Sequence, residues 1–354
     1  MSETGASLKF NFHNQVAAEI FASQPEDAEF FNSEYEHHRV AELDASIPRV
    51  ELSIQPWRTL EGIPPGYTQH SHKYLARWAY HLAIHLTTIK IDVFANRLAV
   101  PMVHHMLLHP SLRYLAAQND LLMLHAGAIA SRGRSLILTG HGGAGKTTTT
   151  SLLLAQGGAD YLPHADDYVF LQNGPKSLAY MTRSHLYLNL LEWVPELRQS
   201  LTVPERRRLF FFGKLRAWSN ENIKWPVRLP VERLWPGRPI AQEATPVGLV
   251  LLDRTATTEP RLVSLTPEDF PIDDLVRMNF REARHFLHLL AKSQAVIDFQ
   301  DWQTAWRERE RNLLKNRVAE IPIYSLELPR SQNSPSAYLQ ELTVKLMQII
   351  EELG

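Results

Sequence analysis

The sequence predicts an α/β protein with a mixed sheet, preceded by a smaller α+β domain. Three observations carry that expectation. An apolar stretch at 136–138 runs into a Gly-rich loop, and a helix-like stretch follows to Gln156. Apolar runs at 121–130, 168–171 and 247–252 alternate with helix-like segments in the rest of the chain. The 354 residues are 44% hydrophobic and 21% charged, enough to bury a core in two to three domains of ~100–200 residues each. The divisions expected are an N-terminal α+β domain at 1–118 that contacts substrate or a partner, an α/β domain at 119–330, and a C-terminal helix at 331–354.

The same composition excludes several classes. It does not fit a disordered chain, a collagen or a coiled-coil rod. Lys and Arg number 37 against 38 Asp and Glu, so a globally basic nucleic-acid binder is not expected. With no cysteine there is no disulfide, cysteine-ligated metal site or thiol nucleophile. The first residues carry Glu3 and lack a basic-then-apolar leader pattern, and no window approaches ~18 uninterrupted apolar residues. The expectation is a cytoplasmic protein without a membrane partner.

Residues 1–70 carry little periodic signal, and Pro48, Pro56, Pro64 and Pro65 break any long helix. A short strand is expected at 50–54 and strands within 74–95. Residues 103–117 read as a helix that Pro110 bends or divides. The runs 121–130 and 135–138, joined by Arg132-Gly133-Arg134, read as a hairpin. The helix from Lys146 to Gln156 stops at Gly157-Gly158. Strand pieces at 161–162 and 168–171 flank Asp166-Asp167. The stretch 198–238 holds ten Lys or Arg against three Glu, with Trp218, Trp225 and Trp235. Two readings of it stay open: an insertion whose aromatics dock on the body, or a flap that meets phosphates or an acidic substrate. A buried strand at 247–252, helices at 275–290 and 302–314 and a strand at 321–328 follow. Ser334-Pro335 opens a last helix whose apolar face, Leu339 to Leu353, suits core packing.

The chemistry sits in one motif. Gly140-His141-Gly142-Gly143-Ala144-Gly145-Lys146-Thr147, with Thr148 next, fits G-x-x-x-x-G-K-[ST] between strand and helix. Glycines let backbone N–H groups turn inward onto phosphate oxygens, and the helix start adds a positive dipole end. Lys146 is placed for the β- and γ-phosphates of ATP, and the Thr147 hydroxyl for Mg²⁺. Two acids compete for the metal. Asp253 ends an apolar strand in the Walker B manner, and would accompany an ATPase with a water nucleophile. Asp166-Asp167 lies 20 residues after Lys146, and would let one carboxylate bind Mg²⁺ while the other takes a proton from a hydroxyl.

Three stretches together, Leu124-His125-Ala-Gly-Ala-Ile-Ala, the Gly-rich loop and Leu162-Pro-His-Ala-Asp166-Asp167, resemble the catalytic domain of HPr kinase/phosphorylase and its relatives. The resemblance covers 115–330 and is strongest over 121–171. It implies the phosphoenolpyruvate-carboxykinase-like P-loop fold, ATP with Mg²⁺, and transfer to a serine hydroxyl of a peptide or protein, or to a small molecule such as free serine. By this resemblance Asp166 is the base, Asp167 the metal-side carboxylate, and His125 tunes or orients the base; the two aspartates are exchangeable. A homo-oligomer is a further implication. The family's Glu-bearing, Arg- and Gly-rich signature is missing after the Asp pair, where Thr182-Arg-Ser-His-Leu-Tyr-Leu stands, which argues against HPr as the acceptor. The first 115 residues also differ from the family's regulatory domain.

His141 and His164 are further candidates near the site, Lys214 a phosphate-reaching lysine, and Arg254 a group that neutralises transferred charge. His81 with His85, and His104, His105 and His109, have spacings a metal site can use, but lack the Glu of a hydrolytic helix motif. The G-x-S-x-G elbow and the protein-kinase Asp-Phe-Gly and His-Arg-Asp signatures are absent. Two other functions stay open: an ATPase or nucleotide sensor built on Asp253, and a carboxykinase-like enzyme acting on a small phosphorylated acid.

Overall fold

A computed structural model describes residues 7–57, 62–72, 75–220, 225–257, 259–329 and 336–352. It is a mixed α/β structure divided into two units, each made of two stretches of chain. Among the described residues no helix is long and apolar enough to cross a membrane.

The first unit takes residues 1–123 together with Ile272–Leu314, a stretch the sequence leaves inside the second domain. Its strands are β1 (Ser7–Phe12), β2 (Val16–Ala22), β3 (Arg39–Val40), β4 (Arg49–Pro56), β5 (Thr68–His72), β6 (Ala76–Ile84) and β7 (Thr88–Ala95). They form a mixed sheet in the order β3-β1-β2-β4-β7-β6-β5 among the described residues. β1 and β2 join through a three-residue turn, His13 to Gln15, in which His13 and Asn14 are at positive φ. The helical stretch from Val100 to Gln118 keeps Pro110 by inserting a π turn at His104–Leu108 just before it. That wider turn offsets a proline that has no N–H to give. The helices Ile272–Glu282, Arg284–Ser293 and Phe299–Val318 follow, the last leaving this unit after Leu314. Arg113 holds them: it is paired to Glu310, and both are almost fully buried.

The second unit holds residues 124–271 and 315–354. Its strands are β8 (Leu122–Ser131, entering from the first unit), β9 (Arg134–Gly140), β10 (Tyr161–Ala165), β11 (Tyr168–Leu171), β12 (Ser177–Tyr180), β13 (Ser184–Leu186), β14 (Val227–Leu229), β15 (Glu243–Thr255), β16 (Arg261–Leu265) and β17 (Ile323–Pro329). Eight of the described strands make a mixed sheet, and β13 pairs with β14 apart from it. β9 lies between β8, antiparallel, and β15, parallel. The hairpin from β8 to β9 turns on Arg132 and Gly133, both at positive φ. Arg134 to Gly140 is almost wholly buried, which is why it reads as an apolar run without alternation.

The helix Lys146–Gln156 ends where Tyr161 covers Gly157; a Cβ there would stand 2.2 Å from the ring. The last helix, Ser336–Glu352, buries Leu342, Leu346 and Ile350 in the same core as Leu136, Leu138, Val250 and Leu326. Each fully buried leucine contributes about 1.5–3 kcal/mol. Ser334-Pro335 and Leu353 lie outside the described residues.

The basic stretch is neither wholly docked nor wholly loose in sequence terms. Its helix Val203–Trp218 starts at a capping box between Thr202 and Glu205, with Pro204 in the first turn. Leu209, Val227, Leu229 and Leu234 join the core, and Trp235 is 8% exposed. Trp218 at 81% and Trp225 at 52% stay in solvent, so one tryptophan of the three docks.

Candidate active site

β9 delivers the Gly-rich loop to its C-terminal end. Gly140, Gly143 and Gly145 hold φ of 147°, 83° and 113°, backbone that L side chains rarely adopt. At Gly140 the space is closed as well: a Cβ would stand 2.5 Å from the Leu252 carbonyl oxygen. At Gly142 and Gly143 a Cβ would meet no atom within 4 Å, so the mouth of the loop is open. An open mouth of backbone in front of a helix start is the shape an oxyanion fits. The Lys146 ammonium is buried and donates to the carbonyl oxygens of Gly140 (2.8 Å) and His141 (3.4 Å). Thr147 and Thr148 are half-buried in the first turn; His141 is exposed.

The Asp pair is brought beside this loop by the sheet. The Ala126 N–H donates to the Asp167 carbonyl at 3.1 Å. The next residue, Gly127, allows close approach: a Cβ there would lie 2.9 Å from Thr150 Cγ2 and 3.4 Å from the Asp166 carbonyl oxygen. β8, the loop helix and the Asp pair thus converge around one glycine. His125, half-buried on β8, stacks its ring on Tyr168 at 5.2 Å and 29°. A cavity of about 30 Å³ lies behind Thr147, Asp166 and Ser184. That volume suits one water molecule, far less than a substrate.

The two carboxylates have different surroundings. Burial, then the charge of Asp167, pushes the Asp166 carboxyl up to about 6. The His185 charge, the Ser184 hydroxyl and the His185 N–H oppose that rise. Asp167 Oδ2 lies 3.4 Å from His185 Nδ1. Burial by itself would lower the His185 pKa, but the hydrogen bond and charge of Asp167 outweigh it and the net direction is up. Arg228, opposite His185 in the β13–β14 pair, works against the imidazolium. The Tyr187 phenol is raised by burial and then by Asp167. The arrangement therefore offers one carboxylate that exchanges its proton near neutrality and a second that is ion-paired.

Other candidates separate cleanly. β15 runs beside the loop strand with Leu252 opposite Gly140, as a Walker B strand does. Yet Asp253 is exposed, and it is Arg254 that turns to the loop: its Nη2 lies 3.5 Å from where a Gly145 Cβ would stand, and its Nη1 donates to the Pro329 carbonyl at 2.9 Å. Successive strand residues face opposite ways, so Asp253 points away from the loop. His164 is a core histidine, fully buried between the Ala241 carbonyl (2.6 Å) and the Ser177 hydroxyl (2.8 Å). Lys214 is exposed, its ammonium 5.3 Å from the Phe210 ring on its own helix. His81 lies on β6 while His85 lies beyond the strand, both exposed. His104 is packed in the π turn against Tyr35, whose hydroxyl is 2.8 Å from its Nε2.

Ser184, His185, Tyr187 and Arg228 are the residues that sequence reasoning missed. They sit on or beside two three-residue strands, too short to show a period, and no motif marks them. No protein-family model matches the chain, and no curated protein matches it.

Proposed function

We propose that this protein is a kinase that moves the γ-phosphate of ATP to a hydroxyl, in first place a serine of a peptide or protein, on a phosphoenolpyruvate-carboxykinase-like, HPr-kinase-like P-loop domain. The observation that supports this reading best is the Asp166 carboxyl, raised to about 6 beside an open glycine loop and a second, ion-paired carboxylate. A water nucleophile served by Asp253 has less support, because Asp253 is exposed and turned from the loop.

The Thr147 hydroxyl and the Asp167 carboxylate are an all-oxygen donor set of the kind Mg²⁺ takes. Bound there, the ion would supply charge neutralisation on the phosphate oxygens. The loop N–H groups and Lys146 hold the phosphates in line. Asp166 accepts the proton of the acceptor hydroxyl as the new O–P bond forms and the bond to ADP breaks. His185 keeps Asp167 ionised and oriented, His125 orients or tunes the base from β8, and Arg254 faces the charge that shifts to the leaving oxygen. Little covalent chemistry is asked of the protein; position and charge supply the rate.

The test is ³¹P NMR of the protein with ATP, Mg²⁺ and serine-containing peptides, free serine or a cell extract. A new phosphomonoester resonance is expected. Asp166→Asn should bind ATP nearly as before yet transfer phosphate ~10²-fold or more slowly, the usual size of a general-base effect. Release of inorganic phosphate alone, with every acceptor, overturns the reading.

A further inference from the structure

The helix Val203–Trp218 divides its residues between two sides. At about 3.6 residues per turn, Glu205, Leu209, Phe212 and Arg216 fall on one of them. Each meets a neighbour in the same unit. Arg233 donates to the Glu205 carboxylate at 2.8 Å, and Leu209 joins the core. The Phe212 ring lies 5.5 Å from that of Trp225, and the Arg216 guanidinium 5.3 Å from that of Tyr187. The opposite side, an arc of about 140°, holds Arg206, Arg207 and Lys214. All three are exposed, and among the described residues none of them is ion-paired. Glu205, the acid of this helix, is on the other side, so the arc has no carboxylate of its own.

Large apolar side chains share that arc instead of retreating from it. Val203 is 54% exposed, Phe210 56%, Phe211 61% and Trp218 81%. Rings left in water beside cations with no counter-charge mark a surface that something covers. The charge calls for an anionic partner. A second copy of this chain would bring the same cations face to face in a symmetric pair. Single-stranded nucleic acid tracks a basic groove, and an acidic peptide needs walls for its side chains. Here the hollow beside Arg206 and Arg207 is lined by them, Val203 and Phe210, all of one helix, so it has no facing wall. A lipid surface needs no groove. Phe and Trp settle at the boundary of headgroups and acyl chains, and the long stems of Arg and Lys let their charges reach the phosphate oxygens above.

We infer that the outer face of this helix docks on anionic phospholipid membranes: Phe210, Phe211 and Trp218 enter the interface, and Arg206, Arg207 and Lys214 pair with the acidic headgroups. The contact is peripheral and needs no spanning helix. It departs from the membrane-free expectation that the whole chain's composition, at a net charge of −1, supports. It stands independently of the kinase reading, since neither ATP nor the Asp pair takes part in it.

Co-sedimentation of the full chain with phosphatidylcholine vesicles, with and without phosphatidylserine, tests it. Binding is expected only where phosphatidylserine is present. It should fall as salt rises from about 0.1 M to about 1 M, where the Debye length shortens from ~10 Å to ~3 Å. Arg206→Gln, Arg207→Gln and Lys214→Gln combined should weaken it about 10²-fold, each base near an anionic surface being worth about fivefold. Phe210→Ser with Phe211→Ser should weaken it about tenfold or more. Tryptophan emission should shift to shorter wavelength on vesicles, and less so in Trp218→Phe. These side chains are exposed, so each variant should keep the wild-type melting temperature, which separates lost docking from a lost fold. Equal sedimentation of the wild type and the triple glutamine variant overturns the site, as does a wild type that ignores anionic vesicles. A wild type that binds a single-stranded oligonucleotide or polyglutamate and leaves vesicles alone overturns the lipid assignment in favour of that partner.

Discussion

Between Gly140 and Thr147 the candidate site consists of backbone N–H groups and one lysine, all within eight consecutive residues. Around Asp166 it is made of side chains: Asp167 beside it, Ser184 and His185 from β13, and Arg228 of β14 opposite His185. The first half of the site is made by local backbone conformation, fixed once three glycines take positive φ. The second half exists only when a short strand pair has closed over the Asp pair. Backbone supplies a fixed cradle whose strength does not depend on pH. Assembled side chains supply what the cradle lacks, a carboxylate whose proton moves near neutrality.

The contrast is tested first at its strongest point. Lys146→Ala should lower every nucleotide-dependent turnover by about 10³-fold, as loss of a charge-stabilising donor does; a coupled assay for ADP release measures it, and wild-type turnover would refute the loop as the phosphate site. Asp166→Asn, with its loss of ~10²-fold in transfer, should at the same time stabilise the fold. The folded carboxyl titrates at about 6 against an ordinary 3.8, so the native state binds the proton more tightly. Wild-type stability then falls as pH rises between about 4 and 6. The asparagine variant escapes that loss, so its melting temperature should exceed the wild type's at pH 8, with the gap closing as pH falls through 6 toward 4. No gap at pH 8 would mean that Asp166 is not held in a costly state.

His185→Ala tests the assembly. Removing the positive neighbour takes away an influence that lowers Asp166. The acid limb of the pH–rate profile should move above pH 6, with a loss of about tenfold in rate from a disordered Asp167. An unmoved limb separates His185 from the site. The smallest effect is expected at Lys214→Ala, under about twofold, since its ammonium is exposed and rests on its own helix. A large loss there would bring the basic helix into phosphate binding and redraw the border between the two halves.

The same contrast explains what was legible in the sequence. The loop, its strand and its helix are contiguous, so a spacing rule finds them. The hairpin before them was legible because Arg132-Gly133 sits between two apolar runs. β1 went unread although Leu8, Phe10 and Phe12 alternate into the core, because the segment is short and prolines dominate the stretch after it. β13 has three residues, too few for any period, and with it His185 stayed hidden. The basic stretch misled through composition: its charge suggests a solvated insertion, whereas Leu209, Val227 and Leu229 pack with the loop strand's core. The last helix was legible from its apolar face, and Leu342, Leu346 and Ile350 pack into that same core as expected. The helices of Ile272–Leu314 gave no sign of returning to the first unit; the buried Arg113–Glu310 pair that ties them there joins residues far apart in sequence.

That pair has a consequence for how the protein comes into being. Each unit is made of two separated stretches, so the ribosome delivers the first unit's sheet long before Glu310 arrives to meet Arg113. An arginine left in an apolar pocket without its carboxylate is costly, on the order of 3–5 kcal/mol for a broken buried pair. The N-terminal module therefore waits, incomplete, through synthesis of the whole Gly-rich loop and basic helix. Neither unit can be cut out as one continuous piece of gene, and a chain that stops before residue 310 leaves an unfinished core for chaperones and proteases to judge.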